Sequence, residues 1–217
     1  MPRILLLIYL LVGTVNVVGQ FLGSSELNEY TKPLLMPLLI YYLYRFAEGH
    51  ITLPRILLAV ALIFSWGGDL LLMGSGDSYF LGGLVSFLIA QIFYAVTLFK
   101  SADHKPKIRF LYLIPLIVYG AGLLTVLLPE AGEMGPGIIV YAIGILTMVF
   151  MASIRHGYTN KGSYISVLIG ALLFVLSDSM IALDKFYSPI DYARVLIMST
   201  YIVAQLLLVR GILLHKP

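Results

Sequence analysis

The chain of 217 residues is 60% hydrophobic and only 12% charged, with a formal net charge of +3. A water-soluble domain of this length would hold about twice that share of charged residues, so the composition predicts a polytopic membrane protein. There is no cysteine, which excludes disulfides, thiolate nucleophiles and thiolate metal ligands.

Eight apolar runs can be drawn as membrane-spanning helices, against the requirement of about 20 residues to cross the hydrocarbon core. The first run is too long for the core of a signal peptide, so it is interpreted as a span. The second is short and contains Pro33 and Pro37, so we expect it to be tilted, kinked or only partly embedded. The connections are brief, which predicts one all-α domain over residues 1–217. The runs cover approximately 3–23, 33–46, 54–74, 79–99, 109–129, 136–154, 164–183 and 192–214.

The lysines and arginines predict the orientation of the chain. Eleven of the fourteen fall on one face if all eight runs cross, and only Lys32, Lys185 and Arg194 fall on the other. This asymmetry predicts that both termini are cytoplasmic. The positive net charge then reflects topology, and no nucleic-acid partner is expected.

Two aspartates, Asp69 and Asp178, interrupt apolar runs. A carboxylate at membrane depth costs about 2.5 to 3.5 kcal/mol and normally faces the interior of a helix bundle. Asp69 lies about 21 Å along the helix from Arg55, and Asp178 is equally far from the start of its own span. Lys32 reaches a similar level from the opposite direction. We therefore expect the three charges to meet at one buried site.

The two halves of the chain show a weak internal similarity. Asp69 is followed in the next run by Ala90-Gln91, and Asp178 is followed by Ala204-Gln205. Similar separations of about half the chain predict a parallel repeat of four spans, residues 1–105 and 106–217.

Each candidate also has a purely structural interpretation. The aspartates would then only bridge helices, and Lys32, which lies between Thr31 and Pro33, would belong to a helix cap or extend to the headgroups. The remaining polar candidates would be interhelical hydrogen-bonding groups or buried aromatics. They are Gln91, Tyr94, Tyr141, Ser177, Tyr201 and Gln205.

Several chemistries are not supported by any motif. The four histidines fall in or beside loops, away from both aspartates, so no zinc site is expected within a span. There is no Gly-x-Ser-x-Gly elbow, Walker motif or dinucleotide fingerprint. Acid–base chemistry by carboxylates, or a transport path built on them, remains, and no cofactor is expected.

Five patches resemble the YhhN-like lysoplasmalogenases, a family of eight-span membrane hydrolases. They extend over almost the whole chain, with one departure at Gln91, where many members carry His. The patches are 31–34 (TKPL), 68–73 (GDLLLM), 87–94 (FLIAQIFY), 170–179 (GALLFVLSDS) and 200–205 (TYIVAQ).

The resemblance implies a lysophospholipid substrate whose vinyl ether bond is cleaved to a fatty aldehyde and a glycerophospho-alcohol. Asp69 and Asp178 would be the acid–base pair, without a decision on which is the acid, and the other candidates would bind substrate. The alternatives are a proton-coupled transporter that uses the same aspartates as a relay, and a non-catalytic lipid-binding protein. In either case we expect a multi-pass protein, in the bacterial cytoplasmic membrane.

Overall fold

The computed structural model describes residues 2–46 and 51–215. Within these ranges the chain forms α-helices and two single 3₁₀ turns, Phe110–Tyr112 and Gly132–Met134, and no strand. His50 and Lys216, which the sequence assigned to loops on the basic face, lie outside the described residues. The helices are α1 Pro2–Leu22, α2 Ser25–Phe46, α3 Leu53–Leu71, α4 Asp77–Lys100, α5 Leu113–Leu127, α6 Gly135–Ser153, α7 Lys161–Phe186 and α8 Ala193–Leu214.

Seven of these helices are long and apolar enough to cross a membrane, and the chain is a multi-pass membrane protein. Their bounds lie within a few residues of the predicted spans. The exception is α2, which is long enough but carries Glu26, Glu29, Lys32 and Arg45 among its residues. Eight crossings, the cytoplasmic location of both termini, the single domain and the internal repeat therefore stay predictions.

The predicted start of the second helix was wrong. It begins at Ser25 rather than at Pro33, so Thr31 is not a cap but lies inside the helix. Pro37 has no N–H to offer the carbonyl of Pro33, four residues earlier. The indole Nε1 of Trp66, on α3, donates to that oxygen at 2.9 Å. A neighbouring helix thus satisfies the carbonyl, which is how membrane helices accommodate internal prolines.

The helices pack as two close pairs joined by the others. α3 lies along α4, and α7 lies along α8, while α4 contacts α6 and α2 contacts α1, α3 and α8. The backbones of α7 and α8 approach closely at Gly170, where a β-carbon would lie 3.0 Å from the Ala204 carbonyl oxygen. α5 lies at the periphery against α6 and α7.

A buried arginine connects the helix ends on the face opposite the α7–α8 loop. Arg155 follows α6 and is fully buried. Its Nη1 donates to the Leu98 carbonyl oxygen at 2.9 Å and also to Ser101 Oγ, and its Nη2 donates to Ser163 Oγ at 2.9 Å. Burial lowers the pKa of Arg155 to about 10. The guanidinium therefore stays charged at neutral pH and ties α4 to α7.

Candidate active site

Asp69 lies near the carboxyl end of α3, and only 2% of its surface is exposed. The Tyr201 hydroxyl on α8 donates to Asp69 Oδ2 at 2.8 Å. Lys32 Nζ on α2 lies 3.9 Å from Oδ1 of the same carboxyl group. A buried charge is tolerated when it is paired and hydrogen-bonded. Three helices therefore provide a setting that suits Asp69 as a carboxylate.

Asp178 lies in the middle of α7 and has a different environment. The Tyr141 hydroxyl on α6 donates to its Oδ2, and Gln91 Nε2 on α4 donates to the same oxygen at 3.2 Å. Across residues 2–46 and 51–215, no lysine, arginine or histidine forms an ion pair with Asp178. Both donors approach one oxygen, which leaves Oδ1 available for a proton.

The two aspartates do not form a directly bonded pair. Within the described ranges they share no hydrogen bond and no bonding partner. An edge-to-face cluster of Phe87, Phe174 and Tyr201, with ring centroids 5.6 to 6.2 Å apart, packs beside them. The unlike partners favour two carboxyl groups in separate roles over two that share one proton.

Two glutamine side chains complete the polar interior. The Tyr94 hydroxyl on α4 donates to Gln205 Oε1 on α8, so α4 and α8 are bridged next to Tyr201. Gln205 Nε2 and Gln91 Oε1 are buried and have no hydrogen-bond partner among the residues that the structure describes. Unpartnered amide atoms at this depth are costly, which makes both positions suitable for water or a polar substrate group.

Ser177 precedes Asp178 but points elsewhere. Its Oγ donates to the Ile197 carbonyl oxygen on α8 at 3.1 Å, and 1% of the residue is exposed. This contact joins α7 to α8, as expected for an interhelical hydrogen-bonding group. A part for Ser177 in substrate binding stays a prediction.

A polar cavity of about 400 Å³ lies at the face where the α1–α2, α3–α4 and α7–α8 connections meet. Lys32 lines it, and through the Lys32–Asp69 contact the cavity reaches the buried carboxylate. Its other polar wall residues are Gln20, Asn28, Ser75, Asp184, Lys185 and Arg194.

Two small apolar pockets of about 40 Å³ each lie beside Asp178. The first shares Leu72, Phe80 and Ile181 with the polar cavity. Asp178 and Tyr141 line both apolar pockets. The first apolar pocket is therefore adjacent to the polar cavity, and Asp178 forms part of the wall of both apolar pockets.

Residues 27–212 match the model of the YhhN family. The chain belongs to the YhhN family. The match contains every candidate site residue, from Lys32 to Gln205, so the buried aspartates and their partners all belong to the part of the chain shared with the family.

The chain is 34% identical over 181 residues to "Lysoplasmalogenase TMEM86A" of Homo sapiens. The aligned region covers 79% of the chain and 73% of that protein. It is 32% identical over 182 residues to the Bos taurus protein of that name, covering 80% and 73%. It is 32% identical over 152 residues to "Lysoplasmalogenase TMEM86B" of Homo sapiens, covering 70% and 61%. No solved structure matches the chain. These relatives are mammalian, so a bacterial cytoplasmic membrane stays a prediction.

Sequence reasoning missed a polar network on the other side of Lys32. Asn16 in α1 is fully buried, and its Nδ2 donates to Thr31 Oγ1 at 2.8 Å and to Asn28 Oδ1 at 3.2 Å. Gln20 Nε2 also donates to Asn28 Oδ1, at 2.6 Å. An asparagine within an apolar run is the same kind of signal as an aspartate, but without a charge it was overlooked. In the described ranges no three His, Asp or Glu side chains come together as a metal site would require.

Proposed function

We propose that this chain hydrolyses the vinyl ether bond of lysoplasmalogens, releasing a fatty aldehyde and a glycerophospho-alcohol. The observation that carries the proposal is the similarity, over most of the chain, to relatives named lysoplasmalogenase. The buried carboxyl groups in unlike settings support it, because vinyl ether hydrolysis needs an acid and a base.

The reaction begins with protonation of the vinyl carbon farther from the ether oxygen. This leaves an oxocarbenium ion at the carbon that carries the oxygen. Water adds there and loses a proton, which gives a hemiacetal. The hemiacetal hydroxyl then loses its proton and forms the aldehyde C=O bond, while the bond to the glycerol oxygen breaks and that oxygen takes up a proton. The enzyme must therefore donate one proton to carbon and remove one from water.

Asp178 is proposed as the acid. It has no cationic partner among the described residues, and it lines two apolar pockets. In such surroundings a neutral carboxylic acid is the less costly form. Tyr141 and Gln91 hold Oδ2, so the proton is proposed to reside on Oδ1. The carbon to be protonated belongs to the alkyl side of the substrate, which suits an acid in an apolar wall.

Asp69 is proposed as the base and as the group that stabilises the oxocarbenium ion. Lys32 and Tyr201 favour its ionised form, and a carboxylate near a developing cation lowers the barrier electrostatically. The free amide atoms of Gln91 and Gln205 are suited to orient water or the glycerol hydroxyl. Tyr94 is proposed to hold Gln205 in place. The relatives give the proton-coupled transporter no support.

The experiment is turnover of purified protein in D₂O, with vinyl ether and acyl lysolipids supplied side by side. Mass spectrometry of the aldehyde, reduced as it forms, should find one deuterium on the carbon next to the aldehyde carbon. Acyl lysolipid should remain intact. The Asp69→Asn and Asp178→Asn variants should lose about 10²- to 10⁴-fold in rate. The control Asp191→Asn, at an exposed residue of the α7–α8 loop, should not. Normal rates in both site variants would remove the mechanism.

A further inference from the structure

The three basic residues that the sequence separated from all the others meet in one place. Lys32, Lys185 and Arg194 come from α2, the end of α7 and the start of α8, and all three line the polar cavity of about 400 Å³. Of the eleven basic residues assigned to the other face, none of the ten that the structure describes lines this cavity. Positive charge on this face is therefore concentrated at one concave site.

The three basic residues differ in whether they form an ion pair with a carboxylate. Lys32 Nζ lies 3.9 Å from Asp69 Oδ1, deep in the cavity. Lys185 Nζ lies 3.0 Å from Asp77 Oδ1 at the rim, and 4.6 Å from the centroid of the Phe80 ring. Arg194 forms no ion pair in the described ranges. Its charge, unlike those of Lys32 and Lys185, is not offset by a paired carboxylate, so its guanidinium can bind an incoming anion.

One carboxylate faces the same space. Asp184 lines the cavity, and its Oδ1 accepts the backbone N–H of Ile190 at 2.9 Å. That bond ties the Asp184 side chain, near the end of α7, to the α7–α8 loop and leaves Oδ2 available. Three cations and one fixed carboxylate in one cavity are complementary to a ligand that carries an anion and, a few ångströms away, a cation.

We propose that this cavity is the head-group subsite for a zwitterionic phosphodiester lipid. Arg194, with Lys185 and Lys32, binds the phosphate through charge-assisted hydrogen bonds, and Asp184 binds the ammonium group. The subsite rests on the proposed function for the identity of the lipid. It adds that Arg194 and Asp184 determine head-group specificity.

The position of the cavity fits an amphiphile. It opens at the end of the bundle where the α1–α2, α3–α4 and α7–α8 connections meet, and it shares Leu72, Phe80 and Ile181 with the apolar pocket next to Asp178. A phosphate held by Arg194 places the rest of the lipid on the path toward the two aspartates. One molecule then extends from the polar cavity to the apolar wall.

The experiment measures binding without turnover, so its failure is distinct from failure of the hydrolase proposal. Saturated alkyl ether lysolipids, which contain no vinyl ether, displace a fluorescent lysolipid from the purified full chain in nanodiscs. Three ligands share one alkyl chain: an alkylglycerol without phosphate, an alkyl lysophosphoethanolamine and an alkyl lysophosphoglycerol. The wild type should prefer the phosphoethanolamine lipid over the alkylglycerol by tenfold or more.

Two variants with matched controls assign the effect to residues. Arg194→Gln should abolish the preference for phosphate, Arg194→Lys should restore part of it, and Arg210→Gln, at an exposed arginine farther along the same helix, should retain it. Asp184→Asn should reduce the preference for phosphoethanolamine over phosphoglycerol severalfold, whereas Asp191→Asn should not.

Four results overturn the subsite. In the first, the wild type binds the lysolipid and the alkylglycerol equally well. In the second, Arg194→Gln weakens the binding of both ligands equally. In the third, Arg210→Gln reduces the preference for phosphate as much as Arg194→Gln does. In the fourth, inorganic phosphate displaces the fluorescent lysolipid at concentrations similar to those of glycerophosphoethanolamine and of the lysolipids, which would make this a site for free phosphate.

Discussion

Lys32 Nζ lies 3.9 Å from Asp69 Oδ1 in the interior of the helix bundle, whereas Asp178 has no cationic partner among the described residues. Among the described residues, a cation therefore lies beside only one of the two carboxyl groups. Because both charges are buried, removing either one leaves the other without compensation.

Lys32→Met is expected to destabilise the protein by about 3 to 5 kcal/mol, because Asp69 then remains buried without its cation. The double variant Lys32→Met with Asp69→Asn should recover most of this loss. Thermal unfolding in detergent measures both effects. Lys161→Met, at an exposed residue of α7, is the control and should change little. An unfolding temperature of Lys32→Met equal to that of the wild type would show that the pair contributes nothing to stability.

Tyr201→Phe is expected to lower kcat about 10- to 100-fold, because a hydrogen bond to an ionised group contributes about 1.5 to 3 kcal/mol. Tyr141→Phe removes a donor to a carboxyl group that we propose is neutral, so its effect should be smaller, about fivefold. Tyr30→Phe, at a residue 75% exposed, should leave turnover unchanged. If Tyr141→Phe lowered kcat more than Tyr201→Phe, the roles of acid and base would have to be exchanged between Asp178 and Asp69.

Trp66→Phe is expected to lower the free energy of unfolding by about 1 kcal/mol, because the carbonyl of Pro33 then loses its donor. In a Pro37→Ala background the helix supplies its own N–H, so the same substitution should cost much less. A double-mutant cycle by thermal unfolding isolates the hydrogen bond from the packing change. Equal effects in both backgrounds would refute the role given to the indole.

Gly170→Ala is expected to destabilise the protein by about 1 to 3 kcal/mol. The added β-carbon would lie 3.0 Å from the carbonyl oxygen of Ala204 and from the amide nitrogen of Leu208, so α7 and α8 must separate. Gly122→Ala in α5 is the matched control, since no described residue beyond its own stretch of helix has an atom within 4 Å of the new β-carbon. It should stabilise the helix, by up to about 1 kcal/mol. If both variants behave alike in thermal unfolding, close helix approach is not the reason for Gly170.

The helices and the two aspartates were predictable because their signals are local. An apolar run of about 20 residues predicts a span, and a carboxylate within it is costly wherever the neighbouring helices lie. The hydrogen-bond partners of the two aspartates were not predictable. Gln91 follows Asp69 along the chain, and the internal similarity assigns both to one half, yet Gln91 donates to Asp178. Helix rotation and neighbour choice decide that contact, and neither is written in a single span.

The start of α2 shows a second limit. Pro33 suggested a first helical turn, because proline is tolerated there without losing a hydrogen bond. The helix instead continues through Pro33 and Pro37 from Ser25, and Trp66 binds the carbonyl that Pro37 leaves free. The compensation comes from α3, twenty-nine residues beyond Pro37. A rule based on neighbouring residues in the chain cannot detect a donor at that separation.

Arg155 changes how the charges of this chain relate to the bilayer. Its guanidinium is enclosed by α4 and α7 and is fully buried, so it is not presented to anionic lipid. Lys32, on the opposite face, is likewise turned into the protein. Each end of the helix bundle thus holds a basic residue that acts within the fold. If all eight runs cross, as the sequence predicts, discounting both leaves ten basic residues facing two, and the charge asymmetry that predicts the orientation becomes steeper.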